Sequence, residues 1–249
     1  MRAEISRSVA LVQHYPDPNC RELVAAIALA DGASADQVVV GNGSSELLSW
    51  LPHAAQHPRW VVAVPSFGEY RRAPALANRE LLELPLTGAP DFGVDWAKLD
   101  AALSGPSVVV LGHPNNPTGR LLPVNEFYAF RERHPECLFV VDEAFGDFVT
   151  EFISVWDRGA SNLVVLRSLT KILAIPGLRL GYALTSPSFA RGLRRYLPPW
   201  SVNVLAQRVG IRFFSEPDLV TATRQQTERL KAELVAALSG IAGLEIHTS

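Results

Sequence analysis

The chain has 249 residues, 48% of them hydrophobic, with 23 Lys and Arg against 25 Asp and Glu and a formal charge of −2. That length supports a large core, and the charge balance gives no reason to expect nucleic acid or an anionic membrane as a partner. No apolar run reaches the roughly 18–20 residues that span a bilayer. The opening Met1-Arg2-Ala3-Glu4-Ile5-Ser6 lacks a signal-peptide pattern, so a cytoplasmic location is expected. Cys20 and Cys137 lie far apart without metal spacing and read as packing or surface thiols rather than a disulfide.

Residues 1–14 fit a helix that Tyr15-Pro16-Asp17-Pro18 breaks. A second helix follows from Asn19, its candidate N-cap, with Leu23, Ala26, Ile27 and Ala30 at helical spacing. Val38-Val39-Val40 reads as a strand, and the Gly41-to-Glu46 turn opens a helix through Leu47, Leu48, Leu51 and Ala54. Strands are expected at 60–64, 81–84, 108–111, 138–141 and 163–166. Helices are expected at 67–77, 95–103 and 124–133. Beyond a loop at 197–203, a helix is expected at 204–214. A long charged helix starts at Pro217 and runs to about 238, and 243–247 resembles the opening of a strand.

Short apolar strands alternating with helices predict an α/β three-layer sandwich whose mainly parallel sheet is covered on both faces. Ligands of such sheets bind beyond the carboxyl ends of the strands. The polar clusters of this sequence fall at those ends, which points to one composite site.

Three lysines occur, and Lys98 and Lys231 sit among charged residues. Lys171 follows an apolar run within Ser168-Leu169-Thr170-Lys171-Ile172. A lysine in an apolar site loses its charge more easily and can form a Schiff base with an aldehyde. The same stretch fits a lysine that packs its stem and extends its head to water. Gly41-Asn42-Gly43-Ser44-Ser45 fits a phosphate site at a helix N-terminus, or a plain glycine turn. Asp142 ends a buried strand and fits either a partner for a protonated ring nitrogen or a cap. Asn116, in Asn115-Asn116-Pro117-Thr118-Gly119, fits a donor to a ligand oxygen or a turn residue. Phe67 fits a stacking face or core. Arg179, past a Pro-Gly turn from Lys171, can grip a phosphate in bidentate fashion, and Ser168 and Thr170 add hydroxyls.

Together these groups describe a site for pyridoxal 5′-phosphate. Metal, nucleotide and serine-hydrolase readings fail, since no His/Cys cluster, G-x-x-x-x-G-K-[ST] or G-x-S-x-G occurs.

The combination of Asn-Pro-Thr-Gly at 116–119, Asp-Glu-Ala at 142–144, Ser-Leu-Thr-Lys at 168–171 and Pro-Gly-Leu-Arg-Leu-Gly at 176–181 resembles the class I/II aminotransferase family of fold-type-I pyridoxal-phosphate enzymes. The resemblance runs from about residue 15 to residue 249. It implies that Lys171 carries the cofactor and that Asp142 pairs with the pyridine nitrogen. Asn116 then contacts the phenolic oxygen, Ser44, Ser45, Ser168 and Arg179 hold the phosphate, and Phe67 stacks on the ring. It also implies a homodimer in which Tyr15 reaches the neighbouring subunit's phosphate.

Two branches are most similar, histidinol-phosphate aminotransferase and threonine-phosphate decarboxylase of the cobalamin pathway. The segments at 15–23 and 199–203 resemble the decarboxylase branch. So does Phe145, which stands where aminotransferases usually carry a tyrosine. A phosphorylated amino acid is therefore the implied substrate.

Residues 1–30 are expected to form an N-terminal segment, 31–200 the cofactor-binding large domain, and 201–249 long helices and the start of an incomplete small domain. By the resemblance, further sequence precedes Tyr15, and further strands with a substrate-binding arginine follow. The cofactor site is therefore expected to be complete and the substrate site incomplete. A non-catalytic, cofactor-binding protein is the alternative of another class.

Overall fold

The structure is a computed structural model that describes residues 1–216 and 218–247. Helix α1 (Arg2–Ser8) runs into a 3-10 turn (Val9–Gln13), and α2 (Arg21–Ala30) follows the proline-rich break. Strand and helix then alternate through β1 (Val38–Gly41), α3 (Ser44–Ala54), β2 (Arg59–Val64), α4 (Glu69–Leu76) and β3 (Glu80–Pro85). The pattern continues with α5 (Trp96–Ala102), β4 (Ser107–Gly112), α6 (Val124–Arg133), β5 (Leu138–Asp142) and β6 (Leu163–Ser168). The chain goes on through α7 (Leu169–Ile172), β7 (Gly181–Thr185), α8 (Pro187–Arg194), α9 (Val204–Phe214) and α10 (Asp218–Leu238).

The strands form one seven-stranded sheet in the order β1-β7-β6-β5-β4-β2-β3. Strand β7 runs antiparallel to β1 and β6, and the other pairs are parallel. Successive side chains point to opposite faces of a strand. Val109, Val141 and Val165 accordingly pack on one face with Leu23, Phe127 and Val209. Val110, Val140 and Val164 pack on the other with Leu47, Leu51, Tyr70 and Leu193. Burial on both faces is why these strands are apolar throughout rather than alternating. Among the described residues no helix is long and apolar enough to cross a membrane.

Register places the site. Gly41, Gly181 and Ser168 lie opposite one another across β1, β7 and β6. Gly112, Asp142 and Leu166 form the corresponding row across β4, β5 and β6. Because β7 is reversed, its amino end meets the carboxyl ends of its neighbours there. A Cβ on Gly181 would overlap the backbone nitrogen of Ser44, so only glycine lets the start of α3 approach so closely.

Two expectations are corrected. Asn19 does not cap α2. The Asp17 carboxylate accepts from the backbone nitrogens of Asn19 and Arg21, at 3.1 and 2.9 Å, and Cys20 takes the N-cap position with φ 49°. The described residues 243–247 form no strand and no ladder. The lysine-bearing stretch is followed by β7 and α8, which periodicity alone did not suggest. Pro217, the expected start of the long helix, lies outside the described residues.

Candidate functional site

The carboxyl ends of β1, β4, β5 and β6 surround one cavity. Ser44, Ser45, Phe67, Asn116, Asp142, Ser168, Lys171 and Arg179 all line it, together with Tyr70, Pro114, Ala144, Phe145 and Thr170. Residues spread over more than half the sequence thus converge on a single space. Tyr15 does not take part. It is 82% exposed and packs on Trp200, with ring centroids 4.9 Å apart.

Asp142 is the buried anion of the cavity. The Ala144 backbone nitrogen donates to its Oδ1 at 2.9 Å, and the Tyr70 hydroxyl donates to its Oδ2 at 2.9 Å. Burial pushes its carboxyl above the usual range, while Ala144, Tyr70 and the Lys171 charge pull the other way. Burial, then the Asp142 charge, pushes the Tyr70 phenol well above its ordinary value, so Tyr70 stays a donor. Tyr70 also meets Phe67 edge-on at 5.7 Å, which sets the angle of the exposed Phe67 ring. Sequence reasoning missed Tyr70. The available signal was its position one helical turn after Phe67, at the start of α4.

The anion-binding wall is built around Gly43. This residue has φ +83° and precedes the first turn of α3, whose amides lack intrahelical acceptors. A Cβ there would lie 2.5 Å from Arg179 Nη2, so the missing side chain is what admits the guanidinium. The Glu46 carboxylate accepts from the Asn42 backbone nitrogen at 2.7 Å and from the Ser201 hydroxyl at 3.1 Å, and so fixes the loop. Opposite, the Ser168 and Thr170 hydroxyls bond each other at 2.8 Å. Asn115 braces the neighbouring loop by donating to Pro65 O at 3.1 Å and Thr118 Oγ1 at 2.8 Å, leaving Asn116 toward the cavity.

Lys171 is exposed, in keeping with the reading in which its stem packs and its head extends to water. In the short α7, Leu169 and Ile172 turn into the core while Lys171 faces the cavity. Its Nζ lies 5.8 Å from the centre of the Phe145 ring. The arrangement offers a primary amine, a buried carboxylate, an anion cradle and an aromatic wall in one space.

The fold also gathers a group that spacing did not show. His134, Glu136 and Cys137, ahead of β5 and away from this cavity, hold donor atoms within 4.8 Å of one another. His134 Nε2 there bonds Asp100 Oδ1 at 2.8 Å.

Comparison with known proteins adds the context. The family described as aminotransferase class I and II matches along residues 1–249. The adenosylcobalamin biosynthesis bifunctional protein CobDQ of Leptospira interrogans is 34% identical over 239 residues, 94% of this chain and 28% of that protein. Histidinol-phosphate aminotransferase 1 of Cupriavidus pinatubonensis is 33% identical over 251 residues, 97% of this chain and 65% of that protein. The chain therefore spans less than two thirds of the length of either relative. The crystal structure of L-threonine-O-3-phosphate decarboxylase from Porphyromonas gingivalis superposes with a TM-score of 0.86 at 27% identity, covering 100% of this chain and 74% of that one.

Proposed function

The chain belongs to the aminotransferase class I and II family, and on that footing we propose that it is a pyridoxal 5′-phosphate enzyme that decarboxylates L-threonine O-3-phosphate in cobalamin biosynthesis. Pyridoxal 5′-phosphate is the family's cofactor. The residues fit it. A buried carboxylate with two donors faces the same cavity as an exposed lysine amine and a cradle that a Cβ at Gly43 would fill.

The roles follow from the donor chemistry. Asp142 holds a proton on the ring nitrogen, because a cation beside it offsets the burial of its charge. The α3 amides, Ser44, Ser45, Ser168 and Arg179 hold the phosphate. Phe67 covers the ring and Asn116 donates to the ring oxygen. Lys171 would be the amine that holds the cofactor's aldehyde, and its free amine would move a proton at the substrate's α-carbon. Bound there, the cofactor supplies an electron sink for the pair left when a bond to the α-carbon breaks. Tyr15, exposed on this chain, contributes to the phosphate site of a second copy, so the active form is a homodimer.

The observation that carries the decarboxylase reading is Phe145. Its ring faces Lys171 and brings no hydroxyl into the cavity. Loss of that donor changes the polarity beside the ring oxygen, while the substrate's own carboxylate and phosphate decide which bond is aligned to break. The second reading, a histidinol-phosphate-type aminotransferase, is favoured by the Cupriavidus relative. Incubation of the cofactor-loaded protein with threonine phosphate separates them. Carbon dioxide with aminopropanol phosphate supports the decarboxylase. A keto acid formed from threonine phosphate with 2-oxoglutarate, or a ketone phosphate and glutamate formed from histidinol phosphate with 2-oxoglutarate, supports the aminotransferase. Neither product from a folded, loaded sample leaves the non-catalytic, cofactor-binding alternative.

A further inference from the structure

Adjacent residues of a strand face opposite sides of its sheet. Asp142 faces the cavity, so Glu143 turns to the reverse face. Ser168 faces the cavity, so Arg167 turns to the reverse face as well. There the two meet, with Arg167 Nη2 2.8 Å from Glu143 Oε2 and the Glu143 side chain fully buried. Glu143 Oε1 accepts from the Val155 backbone nitrogen at 2.7 Å, and the Ser154 hydroxyl donates to Oε2 at 2.8 Å. The preceding residue, Ile153, offers its carbonyl to His113 Nε2 at 3.0 Å. His113 Nδ1 accepts from the Leu122 backbone nitrogen at 2.9 Å, so the ring proton sits on Nε2.

This network joins the exits of β4, β5 and β6 from behind. Each exit leads within a few residues to a group of the cavity: His113 to Asn116, Glu143 to Asp142, Arg167 to Ser168 and Lys171. Stability does not require charges at this place. A buried ion pair gains little over apolar residues of similar volume, because both ions lose their water. What the pair supplies is a fixed spacing between two strand ends. The charges of Asp31 and Asp147 also act on the same guanidinium.

We propose that Glu143 and Arg167, with the strap at 153–155, are positioning residues that set the separation of the ring-nitrogen partner Asp142 from the phosphate and lysine groups at 168–171. The inference rests on the cofactor reading above. Neither residue lines the cavity, so both act through their neighbours.

The test compares Glu143→Gln, Arg167→Met and the double variant with wild type. It measures Tm, pyridoxal phosphate affinity of the stripped protein, and the pH dependence of the visible band of the lysine-bound cofactor. Thr185→Val is the control. Thr185 is fully buried and donates to Leu163 O at 2.7 Å, at the other end of β6, so its loss destabilises the sheet far from the cavity. The single variants should weaken cofactor binding by about tenfold or more, the coupling typical of one network, and shift the band's pH profile. The double variant should recover part of the Tm lost in Arg167→Met, since Glu143 no longer leaves a buried charge unpaired there. It should keep the weak binding and the shifted profile. Thr185→Val should lower Tm and leave both cofactor readouts at wild type. A double variant that regains affinity together with Tm, or single variants that behave like Thr185→Val, would overturn the inference. A wild type without the band would overturn the cofactor reading itself, and this inference with it.

Discussion

The Tyr70 hydroxyl donates to Asp142 Oδ2 at 2.9 Å, and both groups are buried. It is the one side-chain hydrogen bond to Asp142 among the described residues, the other donor being the Ala144 backbone. Tyr70→Phe keeps the ring that packs against Phe67 and removes only this donor. A buried acceptor losing a partner costs about 1–3 kcal/mol. The variant should show a lower Tm and a weaker affinity for pyridoxal phosphate, with Asp142 titrating still higher. Denaturant melts and a cofactor titration check this.

Asp142 also predicts a pH effect in the cofactor-free protein. Burial raises its folded pKa above the unfolded value, so folding favours the protonated form. Its ionisation therefore costs nothing at pH values below the ordinary carboxylate range. The cost grows as pH rises through the raised folded pKa. Asp142→Asn removes that cost. The stripped variant should be more stable than stripped wild type at neutral pH, and the difference should vanish as pH falls toward the carboxylate range. Melting curves over a pH series read the trend directly. The same variant should lose most of its cofactor affinity, because the amide cannot pair with a protonated ring nitrogen.

Gly43→Ala should damage the cradle in two ways. The residue sits at φ +83°, and the new methyl would lie 2.5 Å from Arg179 Nη2. Alanine at a positive φ destabilises by more than about 1 kcal/mol. The displaced guanidinium should weaken binding of pyridoxal phosphate and leave that of pyridoxal, which lacks the phosphate, largely unaffected. Isothermal titration with the two compounds distinguishes this from general unfolding.

Lys171→Ala should be nearly silent for folding. The side chain is exposed, and surface changes of this kind fall within about 0.5 kcal/mol. The visible band of the lysine-bound cofactor should disappear, and borohydride should no longer fix the cofactor to the chain. An absorbance scan and a mass measurement after reduction test both points.

Much of this site was legible because its groups stand at the ends of strands that announce themselves as pure apolar runs. Val108 to Leu111 and Leu138 to Val141 are buried on both faces, so their exits at Asn116 and Asp142 could be placed without coordinates. Strand β7 was harder to see. Its sequence, Gly-Tyr-Ala-Leu-Thr, mixes a glycine that serves close packing with a tyrosine whose hydroxyl reaches Asp31 Oδ2 at 2.8 Å. Tertiary needs there override the local pattern. The sequence left the exposure of Lys171 open, since apolar neighbours in sequence need not be neighbours in space. One turn of helix is enough to send Leu169 and Ile172 the other way. Asp17 displaced Asn19 as the partner of the α2 amides because Cys20 adopts a left-handed backbone that swings the chain back over it.

The insertion of β7 between β1 and β6 has a consequence for how the protein is made. The loop at 41–45 is synthesised well before β7, yet it is aligned with Ser168 only through Gly181. Until that late strand is synthesised and slots in, the two halves of the anion cradle have no common frame. Closing so long a stretch of chain is slow compared with local helix formation. Nascent chains that end before β7 should therefore be unable to capture the cofactor, whatever else they have folded. Cofactor capture becomes a late, all-or-none signal that translation has passed residue 185.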